Sequence, residues 1–246
     1  WQLLSTSTRF SEQSGGAFDI TVGPLTRLWR RARRQKELPT AAEIQTALAS
    51  VGWQKVKLHP TARAVELTHD KMKLDLGGIA QGYAADVALA ELRRRGIRQA
   101  LVDASGDVSL GDAPPGSTGW RVGISALQAD APPEVFLNVA NCAVSTSGDA
   151  FRGVEIGGVR YSHIVDPHTG IGLKHRSNVT IIAPNGTTAD ALATALSVLG
   201  PEAGLALLAK FPNTSARLVL QDANGQVRET LSADFAKHLA QPKIAQ

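Results

Sequence analysis

The sequence predicts an α+β fold of mixed, largely antiparallel sheets flanked by helices. Three observations carry that expectation. Strand-like and helix-like segments are interspersed along the chain. Several strand pairs are joined by tight turns, as at His59–Pro60 and Gly157–Gly158. The regular strand–helix–strand alternation of a doubly wound parallel sheet is missing. The 246 residues amount to one large domain or two small ones, with enough chain for a substantial core.

Taken in order, Trp1 to Phe10 reads as the tail of an amphipathic helix, followed by a turn at Ser14–Gly15–Gly16 and an extended piece from Ala17 to Val22. Pro24 to Gln35 is predicted helical, with Leu25, Leu28 and Trp29 at helical spacing. Its arginines and lysine (Arg27, Arg30, Arg31, Arg33, Arg34, Lys36) form a nucleic-acid patch or a solvated helix face. The second reading is preferred, because no aromatics are interleaved as stacking platforms. Thr40–Ala–Ala–Glu43 is a capping box opening a helix to Ser50. Val56–Leu58 and Ala64–Leu67 form a hairpin, and Lys73–Leu76 a short strand. A helix then runs from Ile79 to Arg95, its C-terminal arginines suiting the negative end of the helix dipole and Gly96 its cap. Strands follow at Gln99–Val102, Val108–Leu110, Trp120–Ile124, Val135–Val144, Ser177–Ala183 and Thr214–Gln221. Two helices, Thr187–Leu199 and Glu202–Lys210, meet at Gly200–Pro201, and the chain ends in a turn, a short strand and a polar tail.

Hydrophobic residues at 43% and charged residues at 20% give the balance of a soluble globular chain. The net charge of +4 admits anionic ligands without demanding nucleic acid. Cys142 is the only cysteine, so no internal disulfide exists, and its apolar surroundings predict a buried, inert thiol. No run reaches the ~18 apolar residues that would suggest a membrane span. No secretory signal opens the chain, which begins without Met inside a helix. The natural N-terminus is therefore expected to lie upstream.

The segment Ala143–Gly170 concentrates Ser145, Thr146, Ser147, Asp149, Arg152, Tyr161, His163 and Asp166 among glycines and turns. It is predicted as a strand, a turn at Ser147–Gly148–Asp149, a hairpin about Gly157–Gly158, and a loop that places His163 at a strand end. There the imidazole serves as a general base or as a satisfied structural histidine. In Leu74–Asp86 a strand ends, Gly77 and Gly78 follow and a helix begins. Free N–H groups at such a helix start suit a phosphate, although Asp75 as a plain capping residue explains the same pattern. Asp190 and Thr194 lie four apart on one helix face. They are hard oxygen donors of the kind Mg²⁺ prefers, or else Thr187 and Asp190 form a capping box. The remaining histidines lack zinc-ligand spacing, and no serine lies in a nucleophile elbow.

Six stretches, in this order and spacing, resemble the ApbE family of FAD:protein FMN transferases. They are GGAFDITVGPL (Gly15–Leu25), DLGGIAQGYAAD (Asp75–Asp86), ASGDVSLG (Ala104–Gly111), AVSTSGDAFR (Ala143–Arg152), YSHIVDPHTG (Tyr161–Gly170) and TADALATALSVLG (Thr188–Gly200). The resemblance implies an ApbE-like, T-fold-related architecture and a single domain over 1–246 that lacks the family's usual N-terminal segment. It implies Mg²⁺-dependent transfer of FMN from FAD to a Ser or Thr hydroxyl of a partner flavoprotein, with release of AMP. Ala17, Phe18, Asp19, Asp75, Gln81 and Ile164 would contact FAD. Gly78 (through its carbonyl), Asp190 and Thr194 would hold Mg²⁺, and His163 would be the base. Family members are commonly exported to the bacterial periplasm or envelope, often as lipoproteins at the inner membrane. Two positions depart from the family pattern: Gln81 stands where Lys is usual, and Ser105–Gly106–Asp107 replaces G-G-D. Two alternatives are an FAD pyrophosphatase, with water as acceptor, and a flavin-binding module without chemistry.

Overall fold

A computed structural model describes residues 1–125, 127, 131–133, 135–148, 153–222 and 224–241. Its helices are α1 (Gln2–Gln13), α2 (Gly23–Gln35), α3 (Ala41–Leu48), α4 (Ala80–Arg94) and α5 (Gly186–Leu208). Its strands are β1 (Val56–His59), β2 (Ala64–Leu67), β3 (Leu101–Ala104), β4 (Asp107–Leu110), β5 (Trp120–Ile124), β6 (Val135–Val139), β7 (Ala143–Gly148), β8 (Val154–Ile156), β9 (Val159–Tyr161), β10 (Arg176–Ala183), β11 (Ser215–Gln221) and β12 (Val227–Leu231). Six of them form one antiparallel sheet in the order β12-β11-β10-β7-β4-β3, and three separate hairpins, β1-β2, β5-β6 and β8-β9, surround it. The expected α+β class with largely antiparallel sheets is what the chain adopts.

The central sheet has two different faces because its residues alternate. Val108, Val144 and Ile182 are paired across β4, β7 and β10, and all three turn toward one cluster. The β5-β6 hairpin closes that cluster with Val122, Ile124, Leu137 and Val139, and Phe235 plugs it. Ala143, Val179, Ile181 and Ala183 face the other way, onto the Ala- and Leu-rich surface of α5. Helix α4 lies beside α5 on this same side, and the two approach so closely that a Cβ on Gly82 would fall 2.1 Å from the Gly186 carbonyl oxygen. A third cluster joins α2 to the β8-β9 hairpin: the Trp29 ring packs tilted against Tyr161 at 5.0 Å and donates its indole N–H to the Gly170 carbonyl at 2.8 Å.

The capping box of α3 forms as read, with Thr40 and Glu43 exchanging bonds. Several expectations are corrected. The single strand Val135–Val144 is two strands, because the chain passes through the left-handed region at Asn141 (φ 52°) and moves from the outer hairpin into the central sheet. Ala17–Val22 and Lys73–Leu76 are not strands; they touch through one parallel bridge, Val22 to Lys73, and the Asp75 N–H donates to the Ile20 carbonyl. The two expected C-terminal helices do form, as the two arms of α5: the backbone leaves helical geometry at Gly200 (φ 73°, ψ −175°), where Pro201 follows. Finally, α5 is long and apolar enough to match a membrane span by length and composition. It packs on the sheet and α4, as the core helix of a folded domain does. Of the turn expected at Ser147–Gly148–Asp149, Ser147 and Gly148 instead continue β7, opposite Val179 and Asn178 of β10, while Asp149 and Arg152 lie outside the described residues.

Candidate active site

A cleft of about 570 Å³ opens where β7, β10, the β3-β4 turn, α2, α4 and α5 converge. Such a volume is typical of small-molecule sites, which run to roughly 300–1,000 Å³. The structure brings all ten sequence-predicted site residues into its lining: Ala17, Phe18, Asp19, Asp75, Gly78, Gln81, His163, Ile164, Asp190 and Thr194.

One corner is built by the close contact of the Gly77–Gly78 turn with α5. A Cβ on Gly78 would sit 2.7 Å from Thr194 Oγ1, so only glycine lets the turn approach that hydroxyl. One helical turn earlier, Asp190 is 6% exposed and accepts the Gly82 N–H at 3.2 Å. The cap of α5 is Asn185, whose side chain accepts from the Thr188 N–H, so Asp190 is not the capping residue that Thr187–Asp190 suggested. Instead, Asp190 points across the helix contact. Burial, reinforced by the nearby Asp107 carboxylate, pushes its pKa up to about 8, against the pull of the Gly82 and Gln81 N–H groups. Asp107 is likewise raised, chiefly by burial, and it accepts a short hydrogen bond from the Ser145 hydroxyl.

The opposite wall is held by two further carboxylates. Asp19 accepts from Thr21 N–H at 2.8 Å, Thr21 Oγ1 at 2.7 Å and Trp53 N–H at 2.8 Å, and burial raises its pKa despite those bonds. Asp75 does not cap α4, whose N-cap is Ile79 without a side-chain bond. Its Oδ1 accepts the Gly77 N–H at 3.0 Å, and its Oδ2 accepts from Thr26 Oγ1 at 2.7 Å and Arg30 at 2.9 Å. Asp75 therefore ties the glycine turn to α2.

His163 stands two residues beyond β9, on a strap pinned to the next segment. The Ser162 N–H donates to the Leu173 carbonyl, and the Leu173 N–H donates back to Ile164. Ile164 N–H also donates to Ser162 Oγ at 3.1 Å. The half-buried imidazole is thus carried on a braced element beside the cleft. His168, placed by the sequence in an uninformative turn, links the two site loops. Its ring nitrogens lie 3.1 Å from Asp166 Oδ1 and 3.0 Å from the Gly15 carbonyl.

Ser145 and Asp107 stand in stretches that the sequence singles out, but their bond to each other is not legible there, nor is the cleft-lining stripe of α2. Thr26, Trp29, Arg30 and Arg33 all line the cleft, and their i, i+3, i+4, i+7 spacing was the available signal.

Comparison with known proteins places this geometry. The model of the ApbE family matches residues 1–218. An FAD:protein FMN transferase of Treponema pallidum is 35% identical over 237 residues, an alignment that takes in 90% of this chain and 66% of that protein. The solved ApbE protein of Thermotoga maritima superposes with a TM-score of 0.85 at 33% identity, covering 98% of this chain and 77% of that one. The flavinyl transferase ApbE of Pseudomonas stutzeri gives 0.81 at 32%, covering 96% and 73%. This chain thus spans about two thirds of the Treponema relative's length and about three quarters of the solved chains. With the motifs gathered in one cleft and the fold shared along nearly its whole length, the chain belongs to the ApbE family.

Proposed function

We propose that this chain transfers FMN from FAD to a Ser or Thr hydroxyl of a partner flavoprotein, releasing AMP. The observation that supports the reading best is the convergence, in one cleft, of a buried oxygen corner and a braced imidazole. Relatives named FAD:protein FMN transferase supply the reaction class.

The corner fits the expected Mg²⁺. Asp190, Thr194 and the Gly78 carbonyl are hard oxygen donors, and a Cβ at Gly78 would crowd the Thr194 hydroxyl at 2.7 Å. Asp190, Thr194 and the Gly78 carbonyl would hold Mg²⁺, which when bound supplies charge neutralisation at a diphosphate. The chain's own groups do the rest. Gly77 and Gly78 let the nucleotide approach the backbone, and Asp75 fixes that turn to α2. Ala17, Phe18, Asp19, Gln81 and Ile164 line the walls against which FAD would lie. His163 accepts the proton of the acceptor hydroxyl as its oxygen attacks the FMN phosphorus and the bond to the AMP oxygen breaks.

The reading separates from its alternatives by one experiment. The protein is incubated with FAD and Mg²⁺, with and without a candidate acceptor, and AMP is quantified by chromatography. AMP release that requires the acceptor supports transfer. Steady release without it identifies a pyrophosphatase, and none under either condition leaves a flavin-binding module. An envelope location belongs to the same proposal and is checked by fractionating cells that express the full-length protein.

A further inference from the structure

The cleft is acidic for a site that must receive a dianion. Asp19, Asp75, Asp107 and Asp190 line it, and Gln81 on the α4 wall is neutral. Among the described lining residues the permanent cations are Arg30 and Arg33, both on the α2 stripe that begins at Thr26. Their neighbours on the helix are engaged differently. Arg31 turns to α3 and pairs with Glu43 at 2.5 Å, while Arg27 and Arg34 are exposed and do not line the cleft. Arg30 reaches Asp75 at 2.9 Å through one nitrogen, and its side chain is 63% exposed. Arg33 has no ion pair or hydrogen bond among the described residues, yet it stands at the cleft rim one turn further along.

The connection inward is short. Arg30 binds Asp75, Asp75 binds the Gly77 N–H, and Gly78 is the next residue, against Thr194. The arginine pair therefore borders the turn at which the phosphates of a nucleotide would lie.

We propose that Arg33, with Arg30 beside it, is an anion subsite that takes the phosphate groups of a nucleotide diphosphate, which is FAD if the function proposed above holds. An arginine fork matches phosphate oxygens in geometry as well as charge. In this cleft it offsets carboxylates that would otherwise repel the ligand. The stripe is thus a specificity element for phosphorylated over unphosphorylated flavin, and it gives two arginines of α2 a role that does not involve nucleic acid.

The test is calorimetric titration of FAD, ADP and riboflavin into the wild-type protein, Arg33→Gln and the control Arg34→Gln, at low and high salt. Arg33→Gln is expected to weaken FAD and ADP by about five- to ten-fold at low salt, the scale of one partly exposed arginine–phosphate contact. Riboflavin affinity and the Arg34→Gln protein should be unchanged, and the difference should shrink at high salt. Equal losses for FAD and riboflavin, or no loss for FAD and ADP, overturn the subsite. So does unchanged nucleotide affinity accompanied by a raised KM for the acceptor protein, which would assign Arg33 to acceptor docking. ADP binding that depends on Arg33 without any FAD binding keeps the subsite and removes the flavin reading. If the wild-type protein binds neither, both fall.

Discussion

Asp190 accepts a hydrogen bond from the backbone N–H of Gly82 at 3.2 Å, across the contact between α5 and α4. The bond joins a carboxylate on one helix to the first turn of the other, and it exists because Gly82 and Gly186 let the helices touch backbone to backbone. The chemistry of the corner and the packing of the core are therefore the same piece of structure.

That coupling gives a pH signature. Asp190 has an ordinary pKa of 3.8 when unfolded and about 8 when buried beside Asp107. The folded state thus binds the proton more tightly. Its stabilising effect is complete below about pH 4 and is lost progressively as pH rises toward 8. Asp190→Asn is predicted to flatten that fall and to raise the Tm of metal-free protein near pH 8. The amide oxygen can still accept the Gly82 N–H. Thermal melts with EDTA across pH 5–9 check this, and parallel wild-type and variant curves would refute it.

Two glycines make separable predictions. Gly82→Ala drives a methyl onto the Gly186 carbonyl and is expected to destabilise the fold by about 1–3 kcal/mol or more, measured by urea denaturation. Gly78→Ala meets the Thr194 hydroxyl instead, at 2.7 Å. It should cost less stability but weaken Mg²⁺-dependent stabilisation, read as the Tm shift on adding MgCl₂.

His163→Ala is predicted to leave FAD affinity within a few-fold of wild type while lowering the rate of flavin attachment by about 10²–10⁴-fold, the usual range for a general base. Titration of FAD fluorescence and single-turnover kinetics read the two effects separately. Comparable loss in both would make His163 a structural residue of the strap.

Cys142 should alkylate slowly. Burial pushes its thiol up to about 11, so the reactive thiolate is scarce at pH 8. Iodoacetamide labelling followed by mass should be slow in the native protein and fast in urea.

Three pieces of the site are legible as local pattern, while their roles, and the choice of Ala17, Phe18, Gln81 and Ile164, come from the resemblance to the ApbE family. The Gly77–Gly78 turn, the Asp190/Thr194 helix face and the His163 strap each carry a short-range signal of turn, period or strand end. What stayed hidden depends on contacts distant in sequence. Asp107 matters because β4 lies beside β7, which brings Ser145 to it. Arg30 and Arg33 were correctly read as exposed, but their face of α2 borders the cleft only because Asp75, 45 residues from Arg30, fixes it there. The capping of α5 was misassigned to Thr187 and Asp190 because Asn185, two residues upstream of Thr187, offers the same chemistry and sits in extended backbone. The break at Asn141 carried no proline or glycine to announce it.

The most direct measurement is the intact mass of a candidate acceptor after incubation with this protein, FAD and Mg²⁺, run beside Asp190→Asn and an EDTA control. The account predicts one added FMN on the acceptor with wild-type protein and Mg²⁺, and none with the variant or with the metal removed. Attachment that proceeds equally well in EDTA or with Asp190→Asn would contradict it.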